Sequence, residues 1–393
     1  MTVAFAVIPE KGHINPYIGP AQALVDAGHR VAIAAPGDAR AQVEGAGLAF
    51  SAALIGPAPP DRVTRGPELA ELIQDAAQLH QWIERLLLGG LPESVGLLRD
   101  WYRREGADVV VVDPLYYPAA IAAQLGGLPW ASVSNSLNPV VPPGLDSALL
   151  RTMRRLSARR AGLFRQCGVD AAFSGCDVLS PYLTVVFATE ALVGTPPEGV
   201  TLVGPSLPLR SRGDEVRPLP LPPGRPVVYA SFGSQLYYQP EVFEKIYAAG
   251  RLLNAHLVFA LGDLVDDPRW SAPRGHCDVY RYAPQPEVLR RASAFVTHGG
   301  ANSVMEAIHA GVPMLISPMC NDQFHQAWFV ERAGIGSVEN LAEAPVERIE
   351  ESLRVLLTSP MVRSSMDAVS KTYQANGAVT AARLVADIAR QGS

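Results

Sequence analysis

Short apolar runs alternate with helical patterns along the first half of the chain. Continuous runs rich in Val, Ile and Ala occupy residues 3–8, 30–35, 48–53, 109–112 and 131–134. A helical pattern follows the first run near residues 16–28. Continuous apolar runs, rather than strict alternation of apolar and polar positions, are typical of parallel strands covered on both faces. Strands that alternate with helices predict a doubly wound α/β domain.

The same rhythm restarts after a proline-rich stretch. Residues 204–226 contain seven prolines and no apolar periodicity, so they can neither join a central strand nor continue a helix. Further apolar runs follow at residues 227–232, 257–261, 279–282, 294–297 and 313–317. We predict two Rossmann-like halves: an N-terminal domain at 1–203, a linker at 204–226 and a C-terminal domain at 227–393. The last helix is a candidate for packing back on the N-terminal domain.

Composition and charge remove several classes of protein. Hydrophobic residues make up 48% of the chain and charged residues 18%, which predicts a well-filled core and argues against disorder. Lys and Arg number 33 against 38 Asp and Glu, whereas a general nucleic-acid binder would normally carry a basic excess. Four cysteines do not make a disulfide framework in a chain of 393 residues, and the absence of a CxxC pair argues against a structural zinc site.

Two segments bear on the compartment and on contact with a membrane. The N-terminus shows no basic stretch before an apolar one, and no run reaches the ~20 apolar residues of a spanning helix, so we expect a cytoplasmic protein. Residues 149–165 carry six arginines and no acid, with apolar residues at roughly helical spacing. Either this is an amphipathic helix that touches an anionic membrane, or a surface helix that packs on the first domain. The second interpretation is favoured.

The segment 294–318 indicates an anion-binding turn. A predicted strand ends at Thr297 and a helix begins near Asn302. Backbone N–H groups at a helix start favour an anion, and glycines let a phosphate come close. The polar and glycine residues of this turn and helix start are His298, Gly299, Gly300, Asn302, Ser303 and Glu306.

This segment resembles the donor-binding signature of nucleotide-sugar-dependent glycosyltransferases of the UDP-glycosyltransferase superfamily, in its bacterial macrolide and antibiotic branch. The resemblance covers most of the chain. Residues 279–289 resemble the stretch that frames the nucleotide base, 231–234 the first turn of the donor domain, and 320–336 the part that closes around the sugar. The resemblance implies the GT-B fold, an α/β architecture of two facing Rossmann-like, doubly wound domains with parallel sheets.

The resemblance also implies donor-binding roles. It assigns the diphosphate to His298, the Gly299–Gly300 turn, Asn302, Ser303 and Ser234. It assigns the ribose hydroxyls to Glu306, the base to Tyr282 with Gln285 beside it, and the donor sugar to Asp322 and Gln323. Plant relatives carry Trp where Tyr282 stands, which leaves open which base Tyr282 prefers and whether the donor is UDP- or dTDP-linked.

A candidate general base lies in the other half. His13 sits in a glycine-containing loop after the first predicted strand, and Asp113 directly follows the apolar run 109–112. If the strand order is 3-2-1-4-5, both residues reach the sheet edge where open α/β sheets bind ligands. A carboxylate fixes the histidine tautomer and stabilises the imidazolium formed on proton uptake. The resemblance assigns the same roles to this pair.

Acceptor and metal predictions are coarser. Candidate acceptor-binding residues are Trp82, Tyr116, Tyr117 and Asn135, whose partly aromatic character favours a hydrophobic acceptor. No DxD-type acidic pair stands near the phosphate turn, so we expect no metal and no cofactor besides the nucleotide-sugar co-substrate.

The predicted function is an inverting, metal-independent hexosyltransferase that moves a sugar from a UDP- or dTDP-linked donor to a hydroxyl of a hydrophobic small-molecule natural product. We expect a monomer or homodimer with no nucleic-acid partner. The alternatives are a lipid or carotenoid glycosyltransferase at the membrane surface, a nucleotide-sugar epimerase of the same fold, a nicotinamide-dependent oxidoreductase, and a catalytically silent homologue. Residues 9–20 lack the GxGxxG spacing of the oxidoreductase, and an epimerase would not need His13 with Asp113. The acceptor and the donor sugar stay open.

Overall fold

Strands and helices alternate along most of the chain in the computed structural model, which describes residues 1–56, 65–213, 221, 224–271 and 274–391. The strands in this part of the chain are β1 (Thr2–Ala6), β2 (Arg30–Ala34), β3 (Phe50–Ser51), β4 (Val109–Val112), β5 (Trp130–Ser134), β6 (Ala172–Ser174), β7 (Asp177–Leu179), β8 (Leu183–Val186), β9 (Val200–Leu202), β10 (Val227–Ser231), β11 (His256–Ala260), β12 (Cys277–Tyr280), β13 (Ala294–Thr297), β14 (Met314–Ile316) and β15 (Gly336–Val338). The α-helices are α1 (Lys11–Asp26), α2 (Arg40–Gly45), α3 (Gly66–Leu72), α4 (Ala76–Leu88), α5 (Leu91–Glu105), α6 (Tyr117–Leu125), α7 (Ala148–Gln166), α8 (Glu190–Val193), α9 (Pro240–Leu252), α10 (Pro268–Ser271), α11 (Gln285–Leu289), α12 (Ala301–Ala310), α13 (Gln323–Arg332), α14 (Val346–Thr358), α15 (Pro360–Thr372) and α16 (Gly377–Gln391).

The chain divides into two compact units. The first comprises Met1–Arg62, Ala77–Glu215 and Ala375–Ser393, and the second comprises Val63–Ala76 and Val216–Gln374. The second unit therefore includes α3, which the predicted boundaries place in the N-terminal domain. There the Gly66 N–H donates to the Gln235 carbonyl over 3.0 Å. The last helix, α16, belongs to the first unit and packs against α1, β4, β5 and β8.

The first unit is built on a seven-stranded sheet in the order β3-β2-β1-β4-β5-β8-β9. All pairs in it are parallel, and the predicted order of the first five strands is correct. Its central strands are buried along their length because helices cover both faces. Ala6 pairs with Val112 at the ends of β1 and β4, so the segments that follow these two strands leave the sheet side by side.

The second unit repeats this plan with six strands. Its order is β12-β11-β10-β13-β14-β15, and all of its pairs are parallel. Ser231 pairs with Thr297 at the ends of β10 and β13. The turn after each of these central strands therefore begins at the same edge of the sheet.

Helix α1 begins earlier than its sequence pattern predicted. It starts at Lys11, so His13 lies in its first turn rather than in a loop. Pro16 and Pro20 lie inside the helix, although an interior proline removes a backbone donor and usually ends a helix. The prediction placed Pro16 near the helix start, and this boundary was wrong.

The carbonyl groups four residues before the two prolines accept hydrogen bonds from other segments. Pro16 has no N–H for the carbonyl four residues earlier, and the Asn135 amide nitrogen donates to that Gly12 oxygen over 3.3 Å. Pro20 likewise has no N–H for the Pro16 carbonyl, and that carbonyl accepts a hydrogen bond of 2.6 Å from the Ser206 hydroxyl. The helix continues through both prolines because residues distant in sequence replace the missing donors.

The described start of the predicted linker runs along α1. Residues 204–213 form neither helix nor strand, and the Leu209 N–H donates to the Gln22 side-chain oxygen over 2.8 Å. A Cβ on Gly19 would lie 2.3 Å from the Leu207 carbonyl oxygen, so this close approach requires glycine. The remainder of the linker at 214–220 and 222–223 lies outside the described residues.

The arginine-rich segment forms α7, and its apolar face is covered by the first unit. Leu149, Met153, Leu156 and Phe164 are buried in the hydrophobic core of that unit. Arg159 on the polar side forms an ion pair with Glu84. Within the described part of the chain, no helix is long and apolar enough to cross a membrane.

Candidate active site

His13 and Asp113 form a hydrogen-bonded pair at the edge of the first sheet. His13 Nδ1 lies 2.7 Å from Asp113 Oδ2, and the carboxylate is fully buried. The other oxygen, Oδ1, accepts the Leu115 N–H over 3.0 Å. A carboxylate at Nδ1 favours the tautomer that carries its proton there, which leaves the lone pair on Nε2. The His13 side chain is 18% exposed, so the arrangement can accept a proton from a bound molecule.

Tyr17 lies beside Asp113 and was not predicted. It lies one helical turn after His13, and its hydroxyl donates to the Val133 carbonyl over 2.8 Å. Burial raises the pKa of Tyr17 well above its ordinary value, and the charges of Asp113 and Asp177 raise it further. Tyr17 therefore remains a neutral hydroxyl beside the buried carboxylate. The spacing of four residues from His13 was the only signal in the sequence.

The four predicted acceptor residues lie in different surroundings. Trp82 is partly buried against the core of the first unit. Tyr116 directly precedes α6, and burial raises its pKa to about 12. Asn135 contacts His13, with 3.0 Å between its amide nitrogen and Nδ1. Tyr117 corrects the prediction, because its ring is completely buried and its hydroxyl donates to the Cys176 carbonyl. It is a core residue rather than part of an accessible acceptor surface.

His298 is enclosed by two glycines in the second unit. A Cβ on Gly233 would lie 2.8 Å from His298 Cε1, and a Cβ on Gly300 would lie 2.7 Å from Nε2. Gly233 has φ +77° and therefore favours glycine on backbone grounds as well. Gly233 belongs to the sequence segment likened to the first donor-domain turn, but its contact with His298 was not predicted.

Burial keeps His298 neutral. Loss of solvent lowers the pKa of His298 to about 4, against a smaller opposing effect of its hydrogen bond to the Ser231 backbone. At neutral pH its imidazole carries no net charge. It can therefore offer a single N–H or a lone pair, but not a positive charge, to an anion.

The turn after β13 presents the start of α12. Gly299 has φ +83°, and a Cβ there would lie 2.7 Å from Ile316 Cγ2. Gly300 occupies the N-cap position and has no side chain that could cap the helix. Asn302 and Ser303 lie in the first turn of α12. The predicted turn is present, and the helix starts at Ala301, one residue before Asn302.

Gln285, Ser303 and Glu306 form a hydrogen-bonded group beside this helix start. The Gln285 amide nitrogen donates to Glu306 Oε2 over 2.9 Å and to the Ser303 hydroxyl over 3.3 Å. Its oxygen accepts the Tyr229 hydroxyl over 3.3 Å. The structure therefore brings together three predicted residues and adds Tyr229. Tyr282 lies shortly before Gln285 in the chain, and its side chain is 44% exposed.

The remaining predicted donor residues differ in their surroundings. Ser234 is partly buried in the turn after β10. Asp322 occupies the N-cap position of α13 without a side-chain capping hydrogen bond. Gln323 is buried, and its amide oxygen accepts the N–H groups of Met319 and Cys320 over 2.8 and 3.2 Å. Gln323 therefore holds the preceding loop, a role that the sequence did not reveal.

Comparison with known proteins gives consistent relatives for the chain. Residues 223–376 match the family model described as UDP-glucoronosyl and UDP-glucosyl transferase. An NDP-glycosyltransferase of Bacillus licheniformis is 25% identical over 389 residues, which cover 97% of this chain and 96% of the relative. The oleandomycin glycosyltransferase of Streptomyces antibioticus is 26% identical over 407 residues, with coverages of 98% and 90%. The crystal structure of the glycotransferase of kitacinnamycin is similar with a TM-score of 0.77, 26% identity and 98% coverage of both chains. The predicted fold class is confirmed.

Proposed function

Because this chain is a glycosyltransferase of the UDP-glycosyltransferase superfamily, we propose that it transfers a sugar from a UDP- or dTDP-linked donor to a hydroxyl of a hydrophobic small molecule. The transfer inverts the anomeric carbon and needs no metal. The observation that carries this proposal is the pair formed by His13 and Asp113, with 2.7 Å between Nδ1 and Oδ2.

His13 acts as the general base in this proposal. Its Nε2 takes the proton of the acceptor hydroxyl while the acceptor oxygen forms a bond to the anomeric carbon. The bond between that carbon and the diphosphate breaks, and the electron pair leaves with the nucleoside diphosphate. Asp113 stabilises the imidazolium that results. General-base assistance of this kind contributes ~10²–10⁴-fold to the rate.

The second unit binds the donor in this proposal. The start of α12 and the turn at 298–300 bind the diphosphate, because helix N–H groups stabilise negative charge as it develops on the leaving group. Ser234, Asn302 and Ser303 contribute hydrogen bonds to the diphosphate. Since a neutral His298 supplies no positive charge, the helix start carries the larger share of the electrostatic stabilisation.

The rest of the donor is bound by the neighbouring side chains. The Glu306 carboxylate accepts the ribose hydroxyls, and Gln285 holds that carboxylate in place through its 2.9 Å hydrogen bond. The exposed ring of Tyr282 stacks on the base. Asp322 and Gln323 bind the sugar, Asp322 directly and Gln323 through the loop that it holds.

The acceptor is a hydrophobic natural product with a free hydroxyl. Trp82 and Tyr116 supply aromatic surface in the first unit, and aromatic lining favours apolar ligands. The name of the oleandomycin glycosyltransferase, which is similar over 98% of this chain, supports an antibiotic-like acceptor of the same general kind.

A transfer assay with a panel of UDP- and dTDP-sugars and hydroxylated polyketide or aromatic acceptors tests the proposal. We expect a glycoside of inverted configuration by mass spectrometry and NMR, with no loss of rate in EDTA. His13→Asn removes the base but keeps a donor for Asp113, and should lower kcat by ~10²–10⁴-fold with an unchanged Kd for UDP or dTDP. His276→Asn, at an exposed histidine, is the matched control.

Three results would contradict the proposal. Full activity of His13→Asn would contradict the assignment of His13 as the base. A retained anomeric configuration would contradict direct displacement, and loss of transfer in EDTA would contradict metal independence. Absence of thermal stabilisation by both UDP and dTDP would contradict the donor assignment, since a ligand that binds the native state must stabilise it.

A further inference from the structure

Asn135, a predicted acceptor-binding residue, contacts the proposed base. It directly follows β5, and its amide nitrogen lies 3.0 Å from His13 Nδ1 and 3.3 Å from the Gly12 carbonyl oxygen. Gly12 offers this oxygen because Pro16 has no N–H to bond it within α1. Asn135 is therefore anchored to the same helical turn that carries His13.

The hydrogen atoms available fix how this contact works. His13 Nδ1 carries one proton, and Asp113 Oδ2 accepts it at 2.7 Å, so the amide of Asn135 cannot also donate to that nitrogen. Its N–H bonds to Gly12 instead. The opposite amide orientation would set the Asn135 oxygen against the Gly12 carbonyl oxygen, which is unfavourable. The positive end of the amide dipole consequently faces the imidazole.

We propose that Asn135 is a positioning residue for His13, which holds the imidazole against Asp113 and opposes its protonation before the acceptor hydroxyl arrives. This inference rests on the proposed role of His13 as the base. The amide nitrogen blocks sideways rotation of the ring, and its partial positive charge disfavours an imidazolium at 3.0 Å. Asp113 and Asn135 thus act in opposite directions on the proton affinity of the ring.

The charged groups near His13 come from several segments, and they include Asp177, which accepts the hydroxyl of Ser134 next to Asn135. Asp113 comes from the end of β4 and Asn135 from the end of β5. Glu10 and Lys11 precede His13 on its own segment, and Tyr17 follows it on α1 as a neutral hydroxyl. Asn135→Ala removes the amide without adding a charge, whereas Asn135→Asp adds a second carboxylate close to Asp113.

NMR titration of the His13 ring in the ligand-free protein tests the inference directly. The chain has eight histidines, and the His13 signal is the one lost in a His13→Gln variant. Asn135→Asp replaces the amide NH2 with a carboxylate oxygen of similar size. We expect its His13 titration midpoint to rise by about one pH unit, a tenfold gain in proton affinity. Asn135→Ala should raise the midpoint by a smaller amount.

Kinetics separate this role from direct acceptor binding. In Asn135→Asp the acidic limb of the kcat/KM profile should move upward with the histidine midpoint, while the acceptor KM stays within about twofold. Asn340→Asp adds a carboxylate at an exposed asparagine of the second unit and should change neither quantity. An unchanged His13 midpoint in both Asn135 variants, or a raised acceptor KM with an unchanged pH profile, overturns the inference. Because the titration needs no substrate, it stands apart from any failure of the proposed transfer.

Discussion

Gly300→Ala tests whether the packing of His298 makes the turn after β13 a phosphate site. Gly300 has φ −61° and ψ 142°, a conformation that any L-residue adopts without strain. The substitution therefore leaves the backbone conformation accessible and adds a single methyl group. That methyl would lie 2.7 Å from His298 Nε2, so its effect acts through the imidazole.

The size of the effect follows from this distance. Relieving a 2.7 Å contact to about 3.4 Å moves the ring by about 0.7 Å. A hydrogen bond of ~2.9 Å from His298 to a phosphate oxygen would lengthen to ~3.6 Å, which is no longer a hydrogen bond. Loss of a hydrogen bond to a charged group costs ~1.5–3 kcal/mol, equivalent to ~10–150-fold in Kd. The crowding itself costs ~1–3 kcal/mol of folding stability.

Isothermal titration calorimetry with UDP and dTDP measures the loss. Gly300→Ala should bind the preferred nucleotide ~10–150-fold more weakly than the unaltered chain. Gly275→Ala is the matched control, because a Cβ at Gly275 meets nothing within 4 Å. A double-mutant cycle with His298→Ala completes the design: without the ring, the added methyl at residue 300 should change Kd by less than about threefold.

Two outcomes would refute this reasoning. If Gly300→Ala binds nucleotide as tightly as the unaltered chain, the position of His298 has no part in binding the diphosphate. If the substitution weakens binding equally in the His298→Ala background, the methyl acts on the helix start or on the ligand itself. In the second case Gly300 would be needed for the backbone at the start of α12 and not for the position of the His298 ring.

Two further predictions concern stability. Burial lowers the pKa of both His298 and His325 to about 4. The free energy of unfolding should therefore be full above pH ~6.5 and should fall by about 2 kcal/mol per histidine at pH 5, because acid protonates these two side chains in the unfolded chain first. Tm measured by circular dichroism should drop from pH 7 to pH 5, and it should drop less in His325→Gln; an equal drop in both proteins would contradict this. Gly19→Ala should lower Tm because its Cβ would lie 2.3 Å from a carbonyl oxygen, a cost of ~1–3 kcal/mol that exceeds the gain in helix propensity. Gly162→Ala in α7, where a Cβ meets nothing within 4 Å, should leave Tm unchanged or raise it.

Sequence patterns predict features that depend on one strand and its immediate successor. Continuous apolar runs predicted parallel strands, and the strand order 3-2-1-4-5, taken as a condition, predicted that His13 and Asp113 approach each other. The register of β1 against β4 brings the two segments together, whereas the 2.7 Å separation also depends on the direction of the two side chains. The turn at 298–300 was predictable for the same reason, since its glycines and helix start are contiguous in the sequence.

Features that depend on side-chain direction or on distant donors were not predictable in this way. Tyr116 and Tyr117 are adjacent, yet the first is only partly buried and the second fills the core. The phase of α6 decides between them, and a helix start is the least certain part of a sequence pattern. The contact of Asn135 with His13 joins residues 122 positions apart, which no local pattern contains.

The two prolines of α1 show how one local defect connects distant parts of the first unit. An interior proline costs a helix ~3 kcal/mol or more, partly because a carbonyl loses its donor. Here Asn135 and Ser206 supply the two missing donors, so part of that cost is recovered only when β5 and the segment 204–213 are in place. The Gly12 and Pro16 carbonyls of the helix that carries His13 therefore gain these two hydrogen bonds only in the folded unit. This dependence links the position of the proposed base to the packing of two segments distant in sequence, and it explains why the helix start was misjudged from sequence alone.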